Sequence, residues 1–205
     1  MKIGKWKLLG EKTRFTTKWW TVVERDYQTF HGKRIKWFVL KKPDAITVFC
    51  LTREGKVVAI NYFRPGIQKI VLDIPAGYMN KGETPLESAK RELLEETGFK
   101  AEKWVKLGKF AGNAQGDTLM LHAYLAMDGY KAGSQNLDHG EEIEVKLFTL
   151  RQLMQKIKQG KFVDSTRIAV AYLALQKLGK LKLSLHRKMP LSLTKEKIHG
   201  LDQKE

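Results

Sequence analysis

Glu92, Glu95 and Glu96 stand at i, i+3 and i+4 in the segment Arg91-Glu-Leu-Leu-Glu-Glu-Thr97. On an α-helix that spacing gathers all three carboxylates on one face. Like charges so placed repel one another. Arg91, four residues before Glu95, can pair with it but cannot neutralise three carboxylates. A hard divalent cation bound through oxygen would do so, and Mg²⁺ or Mn²⁺ is the natural candidate. Read from these residues alone, a solvated acidic helix face fits equally well.

The helix that must carry this triad is well punctuated. Residues 84–98 have Thr84 as N-cap, Pro85 at the first helical position and Glu87 to close a capping box. Gly98 suits the C-terminal stop, and Leu86, Ala89 and Leu93 form an apolar stripe. Around it, runs rich in aromatic and β-branched residues predict strands at 19–25, 35–41, 46–51, 56–63, 68–74, 103–110, 118–126 and 143–150. Turns are expected at His31-Gly32 and around Gly55. Residues 150–159 and 165–178 read as helices. Strands mixed with a few helices predict an α+β fold, an α/β/α sandwich with a mixed sheet between helices. An antiparallel β appendage precedes it at the N-terminus.

The 205 residues are 42% apolar and 29% charged, a globular composition. The longest apolar run, Ile168 to Leu175, is far short of the ~20 residues a membrane helix needs. The N-terminus is basic without an apolar core, so no secretory signal is expected and the cytoplasm is the expected compartment. Cys50 is the single cysteine and sits in an apolar run, which reads as a buried thiol. The net charge of +16 is concentrated at the ends, with +9 in residues 1–42, +5 in 176–205 and only +2 between. Such ends could attract phosphates or nucleic acid, although a lysine-rich solvated surface is the favoured reading. The histidines, at 31, 122, 139, 186 and 199, show no metal-ligand spacing.

The segment from Gly77 to Phe99 matches the Nudix box, Gly-x5-Glu-x7-Arg-Glu-apolar-x-Glu-Glu-x-Gly-apolar, at every position. Seven specified residues match by chance on the order of once in 10⁸ start sites, given typical residue usage. The chain therefore resembles the Nudix hydrolases, and the resemblance implies roles. Glu92 and Glu96 become the principal metal ligands, with Glu95 a third or water-mediated one. The carbonyl of Ala76 completes the metal site. Arg91 orients the glutamates, and Glu83 is its structural partner. The implied reaction is hydrolysis of a nucleoside diphosphate linked to another group, with Mg²⁺, or Mn²⁺, as cofactor.

Three further stretches resemble the ADP-ribose and ADP-sugar pyrophosphatase branch. Trp20-Thr-Val-Val-Glu-Arg25 is similar to its N-terminal strand, in which an aromatic residue meets adenine and an arginine the phosphates. Trp19 and Trp20, adjacent on a strand, would point to opposite faces, and the resemblance favours Trp20 for stacking. Tyr62-Phe-Arg64-Pro-Gly is similar to its Gln-x-Arg-Pro stretch, whose arginine contacts the diphosphate. Glu141-Glu142-Ile-Glu-Val, followed by a helix and Gly160-Lys-Phe-Val-Asp164, is similar to its C-terminal half, whose acidic loop implies that Glu141 or Glu142 supplies the catalytic base. The branch usually carries a proline about 15 residues after the box, whereas this chain reads Gly112-Asn-Ala-Gln-Gly-Asp117.

The resemblance thus implies a nucleoside diphosphate sugar as substrate and a homodimer whose N-terminal strands are exchanged. The expected layout is an N-terminal β region at 1–42 for dimerisation and base binding, a hydrolase domain at 43–178 and a basic tail at 179–205. Two other functions remain open: a Nudix hydrolase of RNA 5′ ends or nucleoside triphosphates, and a non-enzymatic Nudix ligand sensor. The intact box disfavours the sensor.

Overall fold

The N-terminal strands β1 (Lys7–Thr16), β2 (Thr21–Gln28) and β3 (Arg34–Lys41) form an antiparallel sheet in that order. The computed structural model describes residues 3–181, so most of the basic tail lies outside the described residues. Every residue of β1 is exposed, while β2 and β3 bury Val23, Glu24 and Val39. Glu24 is held by Arg14 from β1 and by Lys36 from β3 at 2.7 Å. Trp19 and Trp20 do not lie within a strand as expected. They form the β1–β2 connection, because Thr17 Oγ1 accepts hydrogen bonds from both their backbone N–H groups, at 3.2 and 3.0 Å. A side-chain acceptor of this kind competes with ladder pairing and closes a turn.

The second sheet begins with β4 (Ala45–Thr52), β5 (Lys56–Arg64), β6 (Lys69–Asp73) and β7 (Ala76–Tyr78). After α1 (Pro85–Thr97) come β8 (Phe99–Lys100), β9 (Lys103–Ala111), β10 (Met120–Lys131) and β11 (Ile143–Thr149). The chain continues through α2 (Leu150–Lys158) and α3 (Ser165–Lys177). Strand order is β11-β5-β4-β10-β8, with β6 on β5, β7 on β4 and β9 on β10. Only β4 and β10 run parallel, so the sheet is mixed as expected. Residues 45–50 of β4 are all buried, the mark of a strand covered on both faces. On one face Ile46, Val48 and Cys50 pack with Ala89 and Leu93 of α1. α2 packs on β5 and β11.

α1 starts and stops where its sequence dictates. Thr84 and Glu87 make the reciprocal capping box, and Gly98 ends the helix at φ 70°. A β-branched or bulky residue would be strained there. The two sheets are stitched together within Met1–Ala174, one compact unit. Leu40 N–H donates to Gly116 O at 2.9 Å, Thr118 N–H donates to Leu40 O at 3.0 Å, and Trp37 Nε1–H donates to Gln115 O at 2.9 Å. The segment that lacks the expected proline is shaped instead by Asn113, whose carbonyls accept from Gly116 and Asp117.

Candidate active site

The box folds around the short strand β7. Antiparallel pairing with β4 places Ala76 opposite Thr47 and Gly77 opposite Ile46. Ala76 N–H donates to Glu96 Oε2 at 2.8 Å. Gly77 lies so close under Glu92 that a Cβ there would fall 2.1 Å from its carboxyl carbon. Arg91 ties the cluster together. Its Nε and Nη2 grip both oxygens of Glu83 at 2.7 and 3.0 Å, and Nη1 donates to Glu92 and Glu95, each at 2.8 Å. Nη2 also reaches Tyr78 O at 3.1 Å. The geometry thus has Arg91 aligning the glutamates and Glu83 anchoring Arg91.

Burial sets the electrostatics. It drives the carboxyl of Glu96, 5% exposed, well above the usual carboxylate range, against the pull of the Ala76 N–H. Burial also raises Glu92, opposed by Arg91. Glu83, gripped by Arg91, is instead pushed down to about 2. Among the described residues no three acidic, histidine or cysteine side chains converge as a metal cage; Arg91 holds Glu92 and Glu95, and the Ala76 N–H holds Glu96. The donor set nevertheless fits a hard divalent cation: carboxylate oxygens, a backbone carbonyl at Ala76, and a charge cost of burial that a cation offsets.

The glutamates line a cleft of about 1470 Å³. Its walls include Arg64 and the loop residues Glu141 and Glu142, and both Trp19 and Trp20, contributed by the same chain. Trp19 is 55% exposed, whereas Trp20 packs on Phe15 at 5.9 Å between ring centroids. Arg64 stacks on the Tyr62 ring at 4.0 Å and donates to Asp73 Oδ2 at 3.1 Å. Glu141 Oε2 accepts from Asp138 N–H at 3.1 Å within the loop. Arg25, expected at the phosphates, does not line this cleft. Its Nε is bonded to Glu11 of β1 at 2.7 Å, on the N-terminal sheet.

The structure adds residues the sequence did not single out. Asp73, 1% exposed, accepts from Tyr62 Oη–H and Arg64 on one oxygen and from Ile74 N–H on the other. Burial lifts its carboxyl to about 6 despite Arg167 and Arg64 nearby. Arg167, in the first turn of α3, and Asp164 before it also face the cleft. No local pattern marks Asp73 or Arg167, whose meaning arises only when β5, β6 and α3 meet; Asp164 instead ends the Gly160-Lys-Phe-Val-Asp164 stretch that the sequence does mark, and it accepts from Thr166 N–H at 2.8 Å.

The NUDIX domain family matches residues 41–167, and the chain belongs to that family. The protein is a Nudix hydrolase, a family that generally uses divalent metals. It is 35% identical to the methanol dehydrogenase activator of Bacillus methanolicus over 159 residues, 77% of this chain and 86% of the relative. It is 31% identical to the ADP-ribose pyrophosphatase of Bacillus subtilis (strain 168) over 178 residues, 86% of this chain and 96% of the relative. The crystal structure of an ADP compounds hydrolase superposes with a TM-score of 0.77 at 21% identity, covering 88% of this chain and all of that one. That likeness establishes the fold.

Proposed function

We propose that the protein hydrolyses the diphosphate of a nucleoside diphosphate sugar of the ADP-ribose kind, releasing a nucleoside monophosphate and a sugar phosphate. The observation that carries this reading is the seating of Glu92 and Glu96 on Ala76–Gly77, in one cleft with Arg64 and two tryptophans. The resemblance to the ADP-ribose pyrophosphatase of Bacillus subtilis supports the substrate class.

In this reading Glu92 and Glu96, with Glu95 and the Ala76 carbonyl, hold Mg²⁺ or Mn²⁺. When bound, the cation neutralises the diphosphate and makes water a better nucleophile. The chain's own residues do the rest. Arg64, held by Tyr62 and Asp73, presents its guanidinium to the diphosphate. Glu141 or Glu142 takes a proton from the attacking water. The new P–O bond forms as the bridging P–O bond breaks, and the departing phosphate leaves with the electron pair. Trp20 or Trp19 stacks the base.

The N-terminal sheet supports a homodimer. β1 is exposed along its length, and Trp6, Leu8, Leu9 and Phe15 stand out from this region.

A panel of ADP-ribose, other nucleoside diphosphate sugars, dinucleoside polyphosphates, nucleoside triphosphates and 5′-capped RNA, each with Mg²⁺ or Mn²⁺, tests the reading. The expected result is AMP and ribose 5-phosphate from ADP-ribose. Turnover confined to triphosphates or RNA ends would overturn it.

A further inference from the structure

We propose that Arg167 is a second substrate-anion contact, which clamps the diphosphate together with Arg64. This rests on the substrate class proposed above and extends it to a residue on α3.

Arg167 lines the same cleft as the glutamates but enters from another element, the first turn of α3. It is only 9% exposed, yet its Nε has no hydrogen-bond partner. Its near acceptor, Asp73 Oδ1, lies 3.6 Å away, beyond hydrogen-bond reach. That oxygen already accepts from Ile74 N–H at 2.8 Å, and Oδ2 is taken by Tyr62 and Arg64. Asp73 thus already holds three hydrogen bonds, and its Oδ1 does not come close enough to close a fourth with Arg167. Leaving a desolvated guanidinium N–H unmade is costly, and such a group calls for an explanation.

The charge balance of the cleft supplies one. Its walls carry many carboxylates, which repel an incoming diphosphate. Of the three arginines there, Arg91 is committed to Glu83, Glu92 and Glu95. Arg64 and Arg167 are left to face the anion. They flank Asp73, which keeps two guanidinium groups close despite their repulsion. A phosphate oxygen in the cleft offers the Arg167 guanidinium a second acceptor beside Asp73, and a planar fork suits it.

Calorimetric titration of the full chain with α,β-methylene ADP-ribose, at fixed Mg²⁺, tests the assignment, with adenosine as the probe lacking phosphate. Arg167→Met should weaken the analogue roughly 10- to 100-fold, the scale of a charge-assisted hydrogen bond, and leave adenosine unchanged. Arg167→Lys keeps the charge but not the fork, and should fall several-fold; it carries the test if the methionine variant does not fold. Arg151→Met, on an exposed position of α2, should match the wild type. Equal weakening of both probes, or no change in either variant, overturns the proposal. A wild type that binds the analogue through Arg167 but hydrolyses no nucleoside diphosphate sugar would overturn the proposed function while the Arg167 assignment stands. A wild type that does not bind the analogue overturns both.

Discussion

Gly77 and Glu92 occupy space that only a glycine leaves free: a Cβ at position 77 would lie 2.1 Å from the Glu92 carboxyl carbon. The box glycine is thus a steric seat for a carboxylate, and its φ is not in the left-handed region. Gly77→Ala should displace Glu92 and cut kcat on the order of 10²-fold, since metal catalysis depends on ligand placement. Steady-state kinetics with rising Mg²⁺ checks this. Wild-type kcat at saturating metal would contradict the seating.

Glu83 acts on stability through Arg91, and its pH dependence has a definite sign. Its folded pKa is pushed down to about 2, below the ordinary value of a free glutamate, because Arg91 favours the charged form. The stabilisation is therefore fully present above about pH 4.5 and is lost as pH falls toward 2. Glu83→Gln should lower Tm at pH 7, and the gap to wild type should shrink between pH 5 and pH 3. A gap that stays constant over that range would show that the ion pair is not its source.

The two tryptophans should separate by readout. Trp19 is exposed in the cleft, whereas Trp20 also packs on Phe15. Trp19→Ala should leave Tm near wild type, and Trp20→Ala should lower it. The variant whose KM for an ADP-sugar rises, by ~1–3 kcal/mol of lost stacking, identifies the platform. Unchanged KM in both would remove the tryptophans from base binding.

Sequence alone reached the parts of this site whose cause is local. The α1 boundaries follow from Thr84, Pro85, Glu87 and Gly98, each acting within one helical turn. Arg91 pairs with Glu95 at i+4 as helical spacing requires. The N-cap of α2 rests on a similar local signal, Thr149 with Gln152. β1 was not separately legible, because a fully exposed strand has no alternation to betray it. The Trp19–Trp20 turn was hidden by strand-favouring residues, with Thr17 overriding their propensity. Arg167 and Asp73 were invisible because their partners come from other elements.

The acidic loop makes a sharper kinetic prediction. Glu141 and Glu142 both line the cleft, and one of them is proposed as the base. Substituting that one by Gln should lower kcat by roughly 10²- to 10⁴-fold with KM little changed. The other substitution should be mild. Two mild effects would place the base elsewhere.

Glu96 is proposed as a metal ligand. The most direct measurement is release of AMP from ADP-ribose by Glu96→Gln across Mg²⁺ and Mn²⁺ concentrations. Glu87→Gln serves as control, since glutamine also completes a capping box. At least about a 10²-fold loss of kcat is expected for Glu96→Gln with the fold intact, and near wild-type turnover for Glu87→Gln. Full activity of Glu96→Gln at saturating metal would contradict it.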